Sequence, residues 1–361
     1  MRRLLLMATL MAITIAACGD DDGDRVGVST RPPAVQPMTG EVSTVASELV
    51  LSADAALSPS GEARVAPVGG QWCLEDPTGV RCVDAAAEGS AAHGIQWRPD
   101  ETAIAVTWGA QDPISIVDFE AGTAVETDLD ANRVLAWSPD GSQLLGLDID
   151  RPGELSLLEP STLEPSTFAP FTEAGVPQLW WPTENVVWGS VPGGPEVFTL
   201  STDGSSGGEV VTIAGGLGEQ LLVSVTVDGG LALTLDDEVE RGVPEPGDTA
   251  LRLFAREVGR SEGVGLPPGM DQRAPRWAQL SHDGRVLLVL HEVDGGGTAL
   301  SSASVDVETL AVSDWATLAE WAPGDIDRPI TYAANGIFRW DGGDTAWMIA
   351  ESGSLLEVAL G

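Results

Sequence analysis

The sequence predicts an all-β chain made of seven similar units, and three observations carry that reading. An apolar residue stands just ahead of a short turn at Leu57, Trp97, Trp137, Trp180, Val225, Leu280 and Phe338, at intervals of 40, 40, 43, 45, 55 and 58 residues. A period of this size marks a repeat architecture in which neighbouring units share their cores. Short apolar runs follow each turn, broken by Asp, Gly and Pro, and no 3.6-residue apolar period is sustained beyond the first eighteen residues. Finally, the last unit is one strand short, while Val42 to Leu51 precede the first turn without a unit of their own. Four short strands in about forty residues describe one blade of a β-propeller. Seven turns predict seven blades, with the Val42 segment completing the last blade and closing the ring. Six or eight blades are the alternatives, because the turn after Val225 is degenerate.

The segment 1–17 lies outside this pattern. Arg2 and Arg3 precede an apolar run from Leu4 to Ile15, too short to span a bilayer and laid out as a secretory signal. It ends Ile15-Ala16-Ala17-Cys18, which resembles a bacterial lipobox. The resemblance implies cleavage ahead of Cys18 and acylation of that residue. Two or more acyl chains would then anchor the chain to a membrane surface without spanning it. An ordinary cleaved signal with an incidental Cys is the alternative. Residues 18–41 carry Asp20-Asp21-Asp22-Gly23-Asp24, Pro32-Pro33 and Pro37, and read as a flexible tether. The aspartate run offers oxygen ligands to Ca²⁺ but lacks the loop spacing of a calcium site, and reads as solvated. The remaining residues, 42–361, form the repeat region.

Export bears on the cysteines. With Cys18 acylated, Cys73 and Cys82 remain, flanking the turn Asp76-Pro77-Thr78-Gly79. Pairing the strands around that turn sets Cys73 opposite Cys82, within reach of a disulfide that staples a hairpin.

The chain carries 55 acidic residues against 18 basic ones, all Arg, for a net charge of −37. Such a surface repels nucleic acid and anionic lipid headgroups. A saline habitat would screen the mutual repulsion, and acidic exported proteomes or GC-rich codon usage would also produce this composition.

The best copy of the turn is Trp137-Ser138-Pro139-Asp140-Gly141. Pro presets one backbone angle, Asp bonds the backbone close by, and Gly accepts positive φ. The same roles fall to Pro59, to Pro99 and Asp100, and to the pairs Asp228-Gly229, Asp283-Gly284 and Asp341-Gly342. The apolar anchor ahead of each turn is expected to wedge between blades, which fits twelve Trp against one Tyr. Trp97-Arg98-Pro99-Asp100, Trp137-Ser138-Pro139-Asp140-Gly141 and Ser281-His282-Asp283-Gly284 resemble the WD40-like repeats of the TolB propeller family. The resemblance spans most of residues 42–361. It implies the propeller fold and carries no catalytic residue with it.

Patterns of chemistry are sparse. Gly204-Ser205-Ser206-Gly207-Gly208 and Gly259-Arg260-Ser261-Glu262-Gly263 match the spacing of a nucleophile elbow, but neither opens a helix. His93, His282 and His291 form no metal spacing. Leu147-Asp148-Ile149-Asp150 and Asp236-Asp237-Glu238 offer ligands for Ca²⁺ or an acid/base pair, though chance adjacency explains them in so acidic a chain. No catalytic residue, metal-ligand set or cofactor motif is assigned. The expected function is a membrane-anchored binding or scaffold module for an envelope protein or glycan. The alternatives are a lyase or hydrolase with carboxylates at the channel mouth, and an accessory sensor of a transport or signalling system.

Overall fold

The computed structural model describes residues 41–49, 51, 55–84, 94–107, 113–127, 131–148, 154–163, 165–170, 178–190, 197–202, 210–214, 220–236, 251–256, 260–270, 275–293, 295–323, 338–340, 342–350 and 353–360. The chain divides into two compact units, Met1–Arg31 and Pro32–Gly361, and every described residue belongs to the second. The expectations for the signal, for Cys18 and for the tether up to residue 40 lie outside the described residues, and Glu41 belongs to the first strand rather than to the tether.

The described residues contain strands and no helix, in seven antiparallel sheets of four strands each. Strand β1 (Glu41–Val45) precedes the first blade. Blade 1 is β2 (Ala56–Leu57), β3 (Arg64–Val68), β4 (Gln71–Asp76) and β5 (Gly79–Asp84). Blade 2 is β6 (Gly94–Trp97), β7 (Ala103–Thr107), β8 (Ser115–Asp118) and β9 (Thr123–Glu126). Blade 3 is β10 (Ala131–Trp137), β11 (Leu144–Asp148), β12 (Glu154–Leu158) and β13 (Pro165–Pro170). Blade 4 is β14 (Gln178–Thr183), β15 (Val186–Ser190), β16 (Val197–Ser201) and β17 (Val210–Ala214). Blade 5 is β18 (Gln220–Val225), β19 (Leu231–Asp236), β20 (Leu251–Ala255) and β21 (Arg260–Val264). Blade 6 is β22 (Trp277–Leu280), β23 (Val286–Val293), β24 (Gly297–Ser304) and β25 (Ala316–Trp321). Blade 7 is β26 (Phe338–Trp340), β27 (Thr345–Ile349) and β28 (Leu355–Ala359), with β1 as its fourth strand. The blade count and the closing strand agree with the sequence reading.

There is no single core. The buried apolar residues fall into seven clusters, and each joins two neighbouring blades. Second strands such as Ala103–Thr107 and Val186–Ser190 are buried along their whole length, because both of their faces meet another blade. That is why they read as continuous apolar runs rather than as alternating ones. The anchors sit in these seams, with Leu57, Trp97, Trp137 and Leu280 all buried. Two anchors need correction. In blade 4 Trp180 faces Trp188, and the last residue before the turn is Thr183, three residues later. In blade 7 the residue facing the second strand just before the turn is Trp340, paired with Ala346, and Phe338 lies two residues earlier. Trp340 is 2% exposed and shares a buried cluster with Leu288, Leu290 and Leu300 of blade 6.

The seam between blades 7 and 1 is where the ring closes. Strand β1 pairs with β28 from Glu41 opposite Ala359 to Val45 opposite Leu355. The chain then crosses to blade 1 through Ala46–Leu49, and there it is gripped by a buried ion pair, Arg64 with Glu75. Glu75 accepts hydrogen bonds from Ser47 Oγ (2.7 Å), Glu48 N–H (3.0 Å) and Leu49 N–H (3.1 Å). Arg64 donates through Nη2 to the carbonyl of Ala46 (3.2 Å). Burial pushes the Glu75 carboxyl up. The hydrogen bonds from Arg64, Glu48, Ser47 and Leu49 outweigh it and hold the group at about 2 against an ordinary 4.5. On the same hairpin Cys73 faces Cys82, with sulfurs 2.06 Å apart, and Asp76 Oδ1 accepts the Thr78 N–H (2.7 Å) to shape the predicted turn.

Two measurements check the clasp. Removing one partner of a buried ion pair costs about 3–5 kcal/mol, so Arg64→Ala is expected to lower the stability read by urea unfolding at pH 7 by about that amount. The unfolded chain binds the Glu75 proton more tightly than the folded one, so this contribution is complete above pH 4.5 and is lost as pH falls toward 2. Glu75→Gln should remove that part of the pH slope, and unchanged slopes in the two proteins would contradict the assignment.

Candidate functional site

Five of the seven turns between first and second strands share one geometry. Their flanking pairs are Leu57 with Arg64, Trp97 with Ile104, Trp137 with Leu144, Val225 with Ala232, and Leu280 with Leu287, so each turn contains six residues. In each, the N–H of the fourth turn residue bonds the carbonyl of the first: Gly61 to Ser58, Glu101 to Arg98, Gly141 to Ser138, Gly229 to Thr226 and Gly284 to Ser281. All five fourth residues have φ between +59° and +79°.

The side chains reinforce this loop. Asp140 Oδ1 accepts from Ser138 Oγ (2.7 Å) and from Ser142 N–H (3.0 Å), while Ser138 Oγ accepts the N–H of Gln143 (2.9 Å). The same three bonds recur with Thr226 and Asp228, and with Ser281 and Asp283. The turn after Val225, degenerate in sequence, is therefore regular in structure. A hydroxyl in the first slot, at Ser58, Ser138, Thr226 and Ser281, is a functional part of the turn that the sequence reading missed. Its signal was the recurrence of Ser or Thr in that slot.

Several turns also pack on the turn of the neighbouring blade. A methyl group at Gly141 would lie 2.8 Å from Cγ of Arg98, and one at Gly284 would lie 2.7 Å from Cδ1 of Leu231. At Gly342 it would lie 3.0 Å from the backbone nitrogen of His282. Glycine serves both the positive φ and the close approach. Pro59, Pro99 and Pro139 occupy the second slot, and His282 takes that slot in blade 6. Asp341 lies outside the described residues. Blade 4 departs from the pattern: Thr183 pairs directly with Val186, leaving Glu184 and Asn185 as a tight turn.

Blade 2 varies the theme. Glu101 takes the glycine slot at φ +59°, and its carboxylate reaches back to blade 1, accepting Ser60 N–H and Ser60 Oγ, both at 2.7 Å. Arg98 replaces the hydroxyl and pairs with Asp100 (2.9 Å) and Asp118 (3.3 Å).

The first strands of adjacent blades are stapled to each other beside these turns. Gln279 Nε2 donates to the Trp340 carbonyl (2.7 Å), Arg339 Nε to the Leu57 carbonyl (3.2 Å), and Leu280 N–H to Ser224 Oγ (3.2 Å). Trp137 Nε1 donates to the Gln96 carbonyl (3.2 Å).

Three of the perturbed acids belong to these turns. Burial pushes Asp100 up, and hydrogen bonds from Arg98 and Thr102 outweigh it, holding its carboxyl below the usual range. Asp140 is held low by Ser138 and Ser142. Asp283 is raised by burial, then lowered further by Ser281, by the Arg285 N–H and by the Arg285 charge. His291 is lowered by burial and bonds Ser301 Oγ (2.9 Å) inside blade 6. Ser261 lies in the outer strand β21, opposite Phe254, in a hairpin rather than at a strand-to-helix turn. His93 and residues 204–208 lie outside the described residues, as do Asp150, Asp237 and Glu238. Among the described residues no three His, Cys, Asp or Glu side chains converge on a metal position.

Comparison with protein-family models and with curated proteins finds no match. Solved structures do match. An oligogalacturonate lyase in complex with manganese aligns with a TM-score of 0.57 at 11% identity, over 92% of this chain and 98% of that one. A chain of a mitotic checkpoint complex gives 0.56 at 11% identity, over 98% and 99%. The tricorn protease gives 0.52 at 13% identity, over 91% of this chain and 34% of that one. At these identities the likeness is one of fold.

The double role of glycine is open to a matched test. Gly122 has φ +68° and open space around its α-carbon, whereas Gly141 has φ +70° and Arg98 against it. Gly122→Ala should cost the backbone term alone, about 1–2 kcal/mol in urea unfolding. Gly141→Ala should cost more, because Arg98 must also give way, and equal losses would remove the packing role.

Proposed function

We propose that the chain is an extracytoplasmic lipoprotein, acylated at Cys18, whose propeller is a binding or scaffold module for an envelope protein or glycan. The observation that supports this most is the state of the turn-face acids. Asp100, Asp140 and Asp283 are held below the ordinary carboxylate range by their own turns. A general acid or base works best with a pKa near the operating pH. These groups instead stay ionised and fix loop geometry, which suits a rigid, negatively charged recognition face. Loops carried on such a scaffold can vary while the strands hold their positions. The fold likeness to a chain that is part of a mitotic checkpoint complex fits a role in assembly.

A second reading is an enzyme, in particular a lyase on a glycan. It draws on the likeness to oligogalacturonate lyase, which spans nearly the whole of both chains. Unsaturated product released from oligogalacturonate by the purified chain, followed by ultraviolet absorbance, would move the function to that reading.

Labelling with palmitate and cell fractionation test the anchor: Cys18→Ser should abolish label and release the protein from the membrane fraction. Crosslinking in the native membrane, followed by mass spectrometry, tests the module. One dominant partner in near-equal amount is the expected result, and no partner at all would count against a scaffold.

A further inference from the structure

Arg339 has more donors than its surroundings use. It stands on β26, the innermost strand of blade 7, and its Nε staples blade 7 to the Leu57 carbonyl of blade 1. The residue in the same position of blade 6 is Gln279, which makes the same bond to Trp340 with a neutral amide. In blade 5 the position is held by Ser224, which accepts the Leu280 N–H. The staple therefore needs no cation. Among the described residues, Nη1 and Nη2 of Arg339 have no hydrogen-bond partner. Glu101 is the acid that acts on Arg339 through space, but its two oxygens are engaged by Ser60 and it forms no ion pair with the guanidinium. Burial lowers the Arg339 pKa to about 10, with Glu101 opposing, so the group is still a cation at neutral pH. Protein surrounds it, yet it keeps partial access to solvent, as a group lining a channel would. A charge this poorly compensated is costly to keep where a Gln would serve.

We infer that Arg339 anchors a ligand site at the channel mouth on the turn face, taking the carboxylate of a small organic monoanion. The inference rests on the binding-module reading and gives it a ligand class. The free end of the guanidinium presents two parallel donors, which match the two oxygens of a planar carboxylate. The net charge of −37 and the ionised turn acids disfavour multiply charged anions such as phosphate or a polyanion. Leu57 is the last residue before the blade 1 turn, and Glu101 lies within the blade 2 turn, which places the site at the turn end of the channel.

The test uses the purified full chain in detergent, read by tryptophan fluorescence and by the thermal midpoint. Trp340 follows Arg339 in sequence and Trp347 pairs with it across the sheet, so both are placed to report. The probes are acetate against acetamide, glucuronate against glucose, and inorganic phosphate. Acetate and glucuronate should bind saturably with Kd on the order of 1 mM or tighter, while acetamide and glucose give no change. Arg339→Gln copies Gln279, so the melting curve should stay near wild type while carboxylate affinity falls at least about tenfold. Glu101→Gln leaves Arg339 in place and removes the opposing charge, and should tighten carboxylate binding severalfold. The site is overturned if carboxylates give no saturable change up to about 100 mM, well above the expected Kd. Equal affinity in Arg339→Gln overturns it too, as does weaker binding in Glu101→Gln. Phosphate binding as tightly as acetate overturns the ligand class. A chain that captures an envelope partner but binds no carboxylate sinks this site alone, and one that binds carboxylate but captures no partner sinks the module reading alone.

Discussion

The pairing of β1 with β28, and the grip of Arg64 and Glu75 on the segment between them and blade 1, is the constraint on which the ring depends. Every buried cluster is shared by two blades, so no blade has a core of its own. A chain of seven such blades left open would expose one apolar face at each end, together with an unpaired strand edge. Closure supplies the seventh seam, in which Leu49, Leu51, Leu57 and Ala66 meet Ile349 and Leu355. A strand alone would fix the edge of blade 7, but not its angle to blade 1. Glu75 adds that, since it bonds three groups of the crossing chain while its charge is held by Arg64, itself on blade 1.

Much of this was legible in the sequence, and the reason is local. A turn, its anchor and the next strand lie within a few residues, so their pattern survives as a period, and a missing strand at one end shows as a surplus at the other. The register of Cys73 with Cys82 followed from one turn in the same way. The degenerate turn after Val225 was misleading only in its letters: Thr226 and Asp228 supply the two acceptors that the loop needs, and its missing Pro costs no hydrogen bond. In blade 7 the pattern pointed to Phe338, because the turn there is one residue shorter and its anchor, Trp340, is displaced toward Asp341.

What the sequence could not show is what spans blades. The clasp on Ala46–Leu49 joins residues 18 to 28 positions apart, and the Arg339 to Leu57 bond joins residues 282 apart. No period encodes such pairs. The charge was visible as a total, but its use was not. Among the described residues, the aspartates that define the repeat are consumed by their own turns, each holding a backbone donor that would otherwise lack a partner. They tell of folding and little of ligand choice.

Function is then to be sought where the repeat is broken rather than where it is kept. Most positions of a locally consistent sequence are explained by the fold, and departures without a folding gain mark sites of use. Two departures stand out on the inner strands and turns of the disc: Glu101 in a slot that elsewhere takes Gly, and Arg339 in a slot that elsewhere takes a neutral side chain. Glu101 holds blade 2 to Ser60 of blade 1, and Arg339 holds blade 7 to Leu57 of the same blade. They come from blades five apart in the chain and neighbours but one in the ring, and they act on each other across blade 1. A fold that needed only a neutral side chain and a glycine at these positions has instead brought an acid and an incompletely used base within reach of each other.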